Sequence, residues 1–198
     1  MSDPNEPDAE AAIHTLLRYM GEDPSREGLE DTPRRVLGAM REHFRGYNED
    51  PVTHLSRTFS EVEGYDELVL VSDIEVYSHC EHHVVPFVGK AHVAYIPNGR
   101  VVGLSKLARV VDTFVKRLQV QEKLTAQIAN TINETLHPQG VGVILQCQHF
   151  CMCYRGVRKP GSWTTTSRLM GCFLKDEAAR MELLTPLGMP RGIGGAGA

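Results

Sequence analysis

No run in this 198-residue chain approaches the roughly 18–20 consecutive apolar residues of a membrane-spanning helix, so no membrane partner is expected. A basic surplus is also missing. Twenty-one Lys and Arg stand against 25 Asp and Glu, a formal charge of −4, which lacks the footprint of a nucleic-acid binder. A weakly acidic protein can still hold a phosphorylated small molecule where a few cations cluster. The opening MSDPNEPDAE has neither the basic nor the apolar stretch of a secretory leader, which places the protein in the cytoplasm as an expectation. Five cysteines are an odd number, and in a cytosolic chain they read as reduced thiols or metal ligands rather than a disulfide framework. With 41% hydrophobic and 23% charged residues, the composition excludes a disordered or fibrous chain, and the length suits one domain with appendages.

The patterning predicts an α+β protein. Residues 1–9 read as a disordered tail, and Ile13, Leu16, Leu17 and Met20 fall on one face of a helix from Glu10 to Met20. Thr32-Pro33 starts a second helix that runs to about Arg45. A turn-rich stretch from Gly46 to Gly64 closes an N-terminal helical segment, 10–64. The segments 68–71, 74–77 and 87–96 are β-prone. Two helical patterns follow, one with Leu107, Val110, Val111, Phe114 and Leu118 as its stripe, the other with Val120, Leu124, Ile128, Ile132 and Leu136. Two long strands, Val141–Tyr154 and Trp163–Leu174, and a short helix near Asp176–Leu184 complete a domain over 65–184, with 185–198 a flexible tail. The resulting ββααββ order suits an antiparallel sheet with both helices on one face. Its open edges and second face call for cover, so oligomerisation is expected.

Ser78-His79-Cys80-Glu81-His82-His83 packs several metal-ligating and proton-transfer groups into six residues. Cys147, His149, Cys151 and Cys153 alternate along a predicted strand and would share one face. Cys80, His83 and one strand cysteine would supply three ligands to zinc and leave one position for water, the arrangement of a catalytic site. Two plainer readings stand beside it. Alternating cysteines are often small buried apolar residues, and a purely structural zinc can add His79 or Cys153 as a fourth ligand. Spacing alone does not separate them.

CEHH at 80–83, VAYIP at 93–97, GLSKLAR at 103–109, QVQEKLT at 119–125 and HFCMCYRGVRKPG at 149–161 together resemble the GTP cyclohydrolase I family. GEDPSREGLEDTPRRV at 21–36 extends the resemblance over nearly all of the chain. What it implies is a tunnelling fold, the ββααββ unit with added N-terminal helices, closed into pentamers that stack as a homodecamer. The implied reaction turns GTP and water into 7,8-dihydroneopterin triphosphate and formate, the entry to pterin and folate synthesis. By position, the resemblance makes Cys80, His83 and Cys151 the ligands of one Zn²⁺ per subunit and His82 and His149 catalytic. Cys147, Cys153 and His79 then drop to core or supporting roles.

The implied chemistry is hydrolysis at C8 of guanine, with a protonated His149 donating to N7 and His82 and Ser105 shuttling protons in the later ribose rearrangement. Glu122 and Gln121 match substrate-binding positions, Glu122 the one that accepts from the guanine N1–H and N2–H; without the motif Glu122 is an ordinary first-turn helix acid. Lys106, Arg109, Arg155 and Arg35 match the triphosphate contacts, where the plain alternative is a solvated basic face. Site residues are expected from adjoining subunits. Many relatives carry proline where Leu118 stands and arginine where Lys123 stands. The alternatives are another tunnelling-fold enzyme, such as a pterin synthase or the nitrile reductase of the queuosine pathway, and a zinc-stapled oligomeric scaffold without activity.

Overall fold

Helix α1 spans Glu6–Tyr19 and starts earlier than the periodicity places it. The Asn5 side chain accepts the Asp8 amide at 3.0 Å, and Pro7 and two acids fill the first turn, so residues 6–9 are helix rather than tail. The computed structural model describes residues 5–188, so residues 1–4 and the glycine-rich end of the chain lie outside it. Ile13 and Leu17 are buried, whereas Leu16 and Met20 are 53% and 67% exposed, a narrower apolar stripe than expected. Helix α2 runs Thr32–His43, and Arg41 pairs with Glu6 of α1. These elements form a first unit ending at Arg45.

The turn-rich stretch after Arg45 groups with the second unit, Gly46–Ala198, not with the N-terminal helices. Its polar groups explain why. Gly46 N–H donates to Lys116 O at 3.1 Å, and the Arg117 guanidinium donates to Gly46 O and Glu49 O at 2.8 and 3.0 Å. This stretch holds helix α3, Val52–Leu55, and strand β1, Thr58–Phe59.

Strand β2, Val69–Cys80, runs continuously through the first two β-prone segments and on to Cys80. A bulge between Val71 and Ile74 puts Asp73 at φ 58° and accounts for the break in pattern. Strand β3, Pro86–Ile96, pairs antiparallel with it, and short β4, Val101–Val102, pairs with β1. Helix α4, Leu104–Val115, strand β5, Leu118–Gln119, and helix α5, Gln121–Leu136, follow. Strand β6 covers Gly140–His149, a helical turn α6 Phe150–Cys153, and strand β7 Thr164–Gly171. The chain then forms α7, Cys172–Lys175, α8, Glu177–Leu184, and a 3₁₀ turn over Thr185–Leu187, where a flexible tail was expected.

The main sheet has the order β5-β2-β3-β6-β7, antiparallel except for β5, which lies parallel to the end of β2. Leu118 therefore leaves the α4 stripe to become sheet, and its amide donates to the Tyr47 hydroxyl at 3.1 Å, a bond proline would forfeit. The short strands interrupt the simple ββααββ order. One sheet face carries Val76, Phe87, Ala91, Val93, Val143 and Leu145 into a core with Leu107, Val111, Leu124 and Ile128 of the two long helices. The other face, left open by the sequence reading, is covered at one end by α7 and α8, where Ala94 and Leu169 meet Phe173 and Leu183. A Cβ on Gly142 would stand 2.5 Å from Leu183 Cδ2, so a larger residue there would have to displace Leu183 of α8.

Past α8's cover, the same face holds His92, only 6% exposed, whose Nδ1 accepts the Asp73 amide at 3.2 Å. Burial holds this imidazole below its ordinary pKa, against the opposing pull of Asp73 and a Gln146 hydrogen bond. A lowered pKa means the neutral ring favours the fold. Its contribution is complete above the ordinary imidazole value of about 6.5 and is lost as pH falls through the lower folded value. Urea midpoints measured from pH 7.5 down to 5 are expected to fall more steeply in the parent protein than in His92→Gln; equal slopes would remove His92 from the acid response.

Candidate functional site

Cys80 ends β2 and is 7% exposed. The chain turns at once: Cys80 N–H donates to Val85 O, and the Val84 amide returns to Cys80 O, both at 2.9 Å. Val84 takes φ 52°, costly for a β-branched residue, and strain of this kind gathers at functional sites. The turn places His83 Nδ1 3.7 Å from Cys80 Sγ. Glu81 N–H donates to Gln119 O of β5 at 3.0 Å, and Lys123 of α5 pairs with the Glu81 carboxylate at 3.5 Å. The turn is thus tied to the start of α5.

The second cysteine arrives by a route the sequence does not reveal. Strand pairing of β6 with β7 ends at Cys147↔Thr164, and its pairing with β3 ends at Phe87↔His149, beside Pro86, which has no amide to give. With no ladder left on either side, Phe150–Cys153 winds into a turn, and Cys151 and Cys153 do not continue the strand face of Cys147 and His149. The Cys151 thiol swings back toward Cys80. Burial pushes it above the ordinary thiol value and the Cys80 thiol adds to the rise, while Arg155 opposes it. Cys147 stays in the core, where burial pushes its thiol up to about 12, which makes it inert. His79, next to Cys80 on the strand, points to the opposite face.

The ligand atoms of Cys80, His83 and Cys151 lie within 4.8 Å of one another, the one such group among the described residues. Tetrahedral zinc with bonds of about 2.0–2.3 Å sets its ligand atoms about 3.6–3.8 Å apart, so small side-chain adjustments suffice. Two thiols and an imidazole are also the donor set that favours zinc over magnesium or calcium. The residues fit the metal.

These three line one cleft of about 190 Å³ together with His82, Gln121, Glu122 and His149. His82 is exposed and stands edge-on to the His83 ring at 6.2 Å. The His149 ring stacks on Phe87, centroids 4.6 Å apart, and its Nε2 lies 2.7 Å from Gln121 Oε1. Burial lowers the His149 pKa, and the Glu122 carboxylate pulls it back up.

A family model described as GTP cyclohydrolase I matches residues 9–187. The GTP cyclohydrolase 1 of Sinorhizobium fredii is 54% identical over 184 residues, 93% of this chain and 90% of its own. That of Brucella suis is 55% identical over 182 residues, 92% and 85% of the two chains. The chain belongs to the GTP cyclohydrolase I family. It is an enzyme, a hydrolase of pterin and folate biosynthesis. Among solved structures, the archaeosine synthase QueF-Like in the apo form covers 53% of this chain and 94% of its own at 17% identity and a TM-score of 0.42, too slight a likeness to argue from.

Against that GTP cyclohydrolase I membership, the other sequence-picked residues sort by position. Ser105, Lys106 and Arg109 sit on the first turns of α4 and do not line the cleft. Arg155 follows α6 on the exposed surface, close enough to act on the Cys151 thiol. Arg35 lies on α2 in the first unit, its guanidinium 3.2 Å from the Asp31 carboxylate. The sequence reading passed over Gln119, Val120, Met152 and Thr164, which also line the cleft, and Phe87 under His149. Phe87 follows only from the β3–β6 register.

Proposed function

We propose that this GTP cyclohydrolase I converts GTP to 7,8-dihydroneopterin triphosphate and formate with one zinc per subunit, held by Cys80, His83 and Cys151. The observation that carries the reading is the convergence of that donor set with His149 and Glu122 in one cleft. Bound there, zinc supplies Lewis-acid activation of water for hydrolysis at C8. His149, as imidazolium, donates to guanine N7 and makes C8 more electrophilic. Glu122 accepts from guanine N1–H and N2–H through its two oxygens, which selects against adenine because adenine lacks that donor pair. His82 and Ser105 carry protons during opening and reclosure of the ribose.

Lys106, Arg109, Arg155 and Arg35 hold the triphosphate. Ser105, Lys106 and Arg109 lie outside the cleft of their own chain, which supports a site completed by a neighbouring subunit. The proposal therefore includes a tunnelling fold closed into stacked pentamers, working in the cytoplasm, where thiol ligands stay reduced.

Formate release from GTP by the purified protein, before and after zinc removal with a chelator, tests the reading. Zinc-dependent formate together with a pterin that fluoresces after oxidation is expected. A zinc-replete, oligomeric sample that yields no formate overturns it.

A further inference from the structure

Gln121 was read from the sequence as a substrate contact, yet it is 1% exposed and every polar atom of its amide is engaged inside the protein. Its Nε2 lies 3.2 Å from Leu145 O, 3.0 Å from Thr164 O and 3.0 Å from Thr166 Oγ1, three acceptors that share its two hydrogens. Two of these are backbone carbonyls, which only accept. The amide must therefore present NH₂ to the sheet, because the flipped group would set its oxygen against two other oxygens. Thr125 closes a ring around this choice. Its hydroxyl donates to the Gln121 backbone carbonyl at 2.7 Å, so its oxygen must accept from the Thr166 hydroxyl, also at 2.7 Å. Thr166 oxygen is then left to accept from Gln121 Nε2.

With NH₂ facing the sheet, Gln121 Oε1 faces His149 Nε2 at 2.7 Å. An amide oxygen has no hydrogen, so the proton of that bond sits on the imidazole Nε2. We infer that Gln121, Thr125 and Thr166 are positioning residues that hold the neutral His149 ring in its Nε2–H form, so that Nδ1 is the ring nitrogen not engaged by the amide. The inference rests on the reading of His149 as the proton-transfer group. Stacking on Phe87 fixes the ring plane, and the amide fixes which edge is which. Gln121 accordingly leaves the set of substrate contacts, and Glu122 next to it, exposed at the cleft, keeps the base-recognition role.

Neutron diffraction from crystals of the zinc-loaded parent enzyme reads the proton directly. Density on Nε2 of His149 is expected; a neutral ring with its hydrogen on Nδ1 overturns the inference and needs no variant to fold. Thr166→Val then removes one acceptor and one donor at nearly constant volume. Its kcat is expected to fall roughly five- to tenfold, as for one lost hydrogen bond, with KM for GTP within about twofold and zinc content unchanged. Thr166→Ser is expected to restore kcat. In a His149→Ala background Thr166→Val is expected to cost nothing further, because the threonine acts through the imidazole. An unchanged kcat in Thr166→Val, or an equal loss with and without His149, overturns the positioning role. Full activity in His149→Ala alone would instead remove the reading on which the inference stands.

Discussion

Cys151→Ala is expected to lose its zinc and its turnover together. Zinc per subunit, measured by emission spectroscopy after gel filtration, falls from about one to near zero, and formate release from GTP falls to background. The choice of cysteine matters. Cys80 is packed in the core cluster with Val76 and Phe87, so truncating it disturbs the sheet as well as the site. Cys151 is half-buried on the short turn α6, where alanine is a good helical residue and no strand pairing is at stake. An unchanged circular dichroism spectrum should therefore accompany the loss. Two ligands remaining, Cys80 and His83, leave zinc exchangeable rather than held. A variant that retains zinc after gel filtration, or turns over GTP at the parent rate, would mean that Cys151 is not a ligand.

The second large effect separates metal from proton transfer. His149→Ala is expected to keep about one zinc per subunit and lose turnover by roughly 10²–10⁴-fold, the usual contribution of a positioned general acid or base. The structural grounds are that His149 lies outside the group of metal-competent atoms, yet lines the same cleft and is held by a ring stack and one hydrogen bond. KM for GTP should move far less than kcat, because guanine recognition is assigned to Glu122 and the triphosphate to the basic residues. Loss of zinc in this variant would make His149 part of the metal centre. Parent-like turnover would pass the proton-transfer role to His82.

The two variants also test how much of the site was legible from the sequence. CEHH is local, and the turn over residues 80–83 brings its own two ligands together. Cys151 is different. A period-2 run of Cys147, His149, Cys151 and Cys153 promises one strand face, and the promise fails because pairing on both sides of β6 ends by His149. Nothing within the run announces that end, since the cause is Pro86 on one neighbour and the start of β7 on the other. The ligand set was reached by motif resemblance; the geometry that supports it comes from the turn.

The fold divides along the same line. The buried faces of α4 and α5 were readable, because Leu107, Val110, Val111, Phe114 and then Leu124, Ile128 and Ile132 recur at helical spacing and all are buried. Long-range closures were not readable. Leu118 looked like one more turn of α4 and instead forms β5 beside the end of β2, and the segment from Gly46 binds the end of α4 through backbone carbonyls that leave no trace in side-chain pattern.

Composition, periodicity and the spaced motifs by themselves determined an α+β chain, its long helices, most of its strands, its family and the residue types available for zinc and acid–base chemistry. Those are properties of local spacing, and local spacing is what a sequence states. Tertiary structure alone decided how Cys151 reaches Cys80, which face of the sheet α8 covers, and that Gln121 turns its oxygen to His149. Each depends on atoms far apart in the chain, on where a ladder runs out or where two carbonyls demand a donor. Such constraints arise only once the strands are paired.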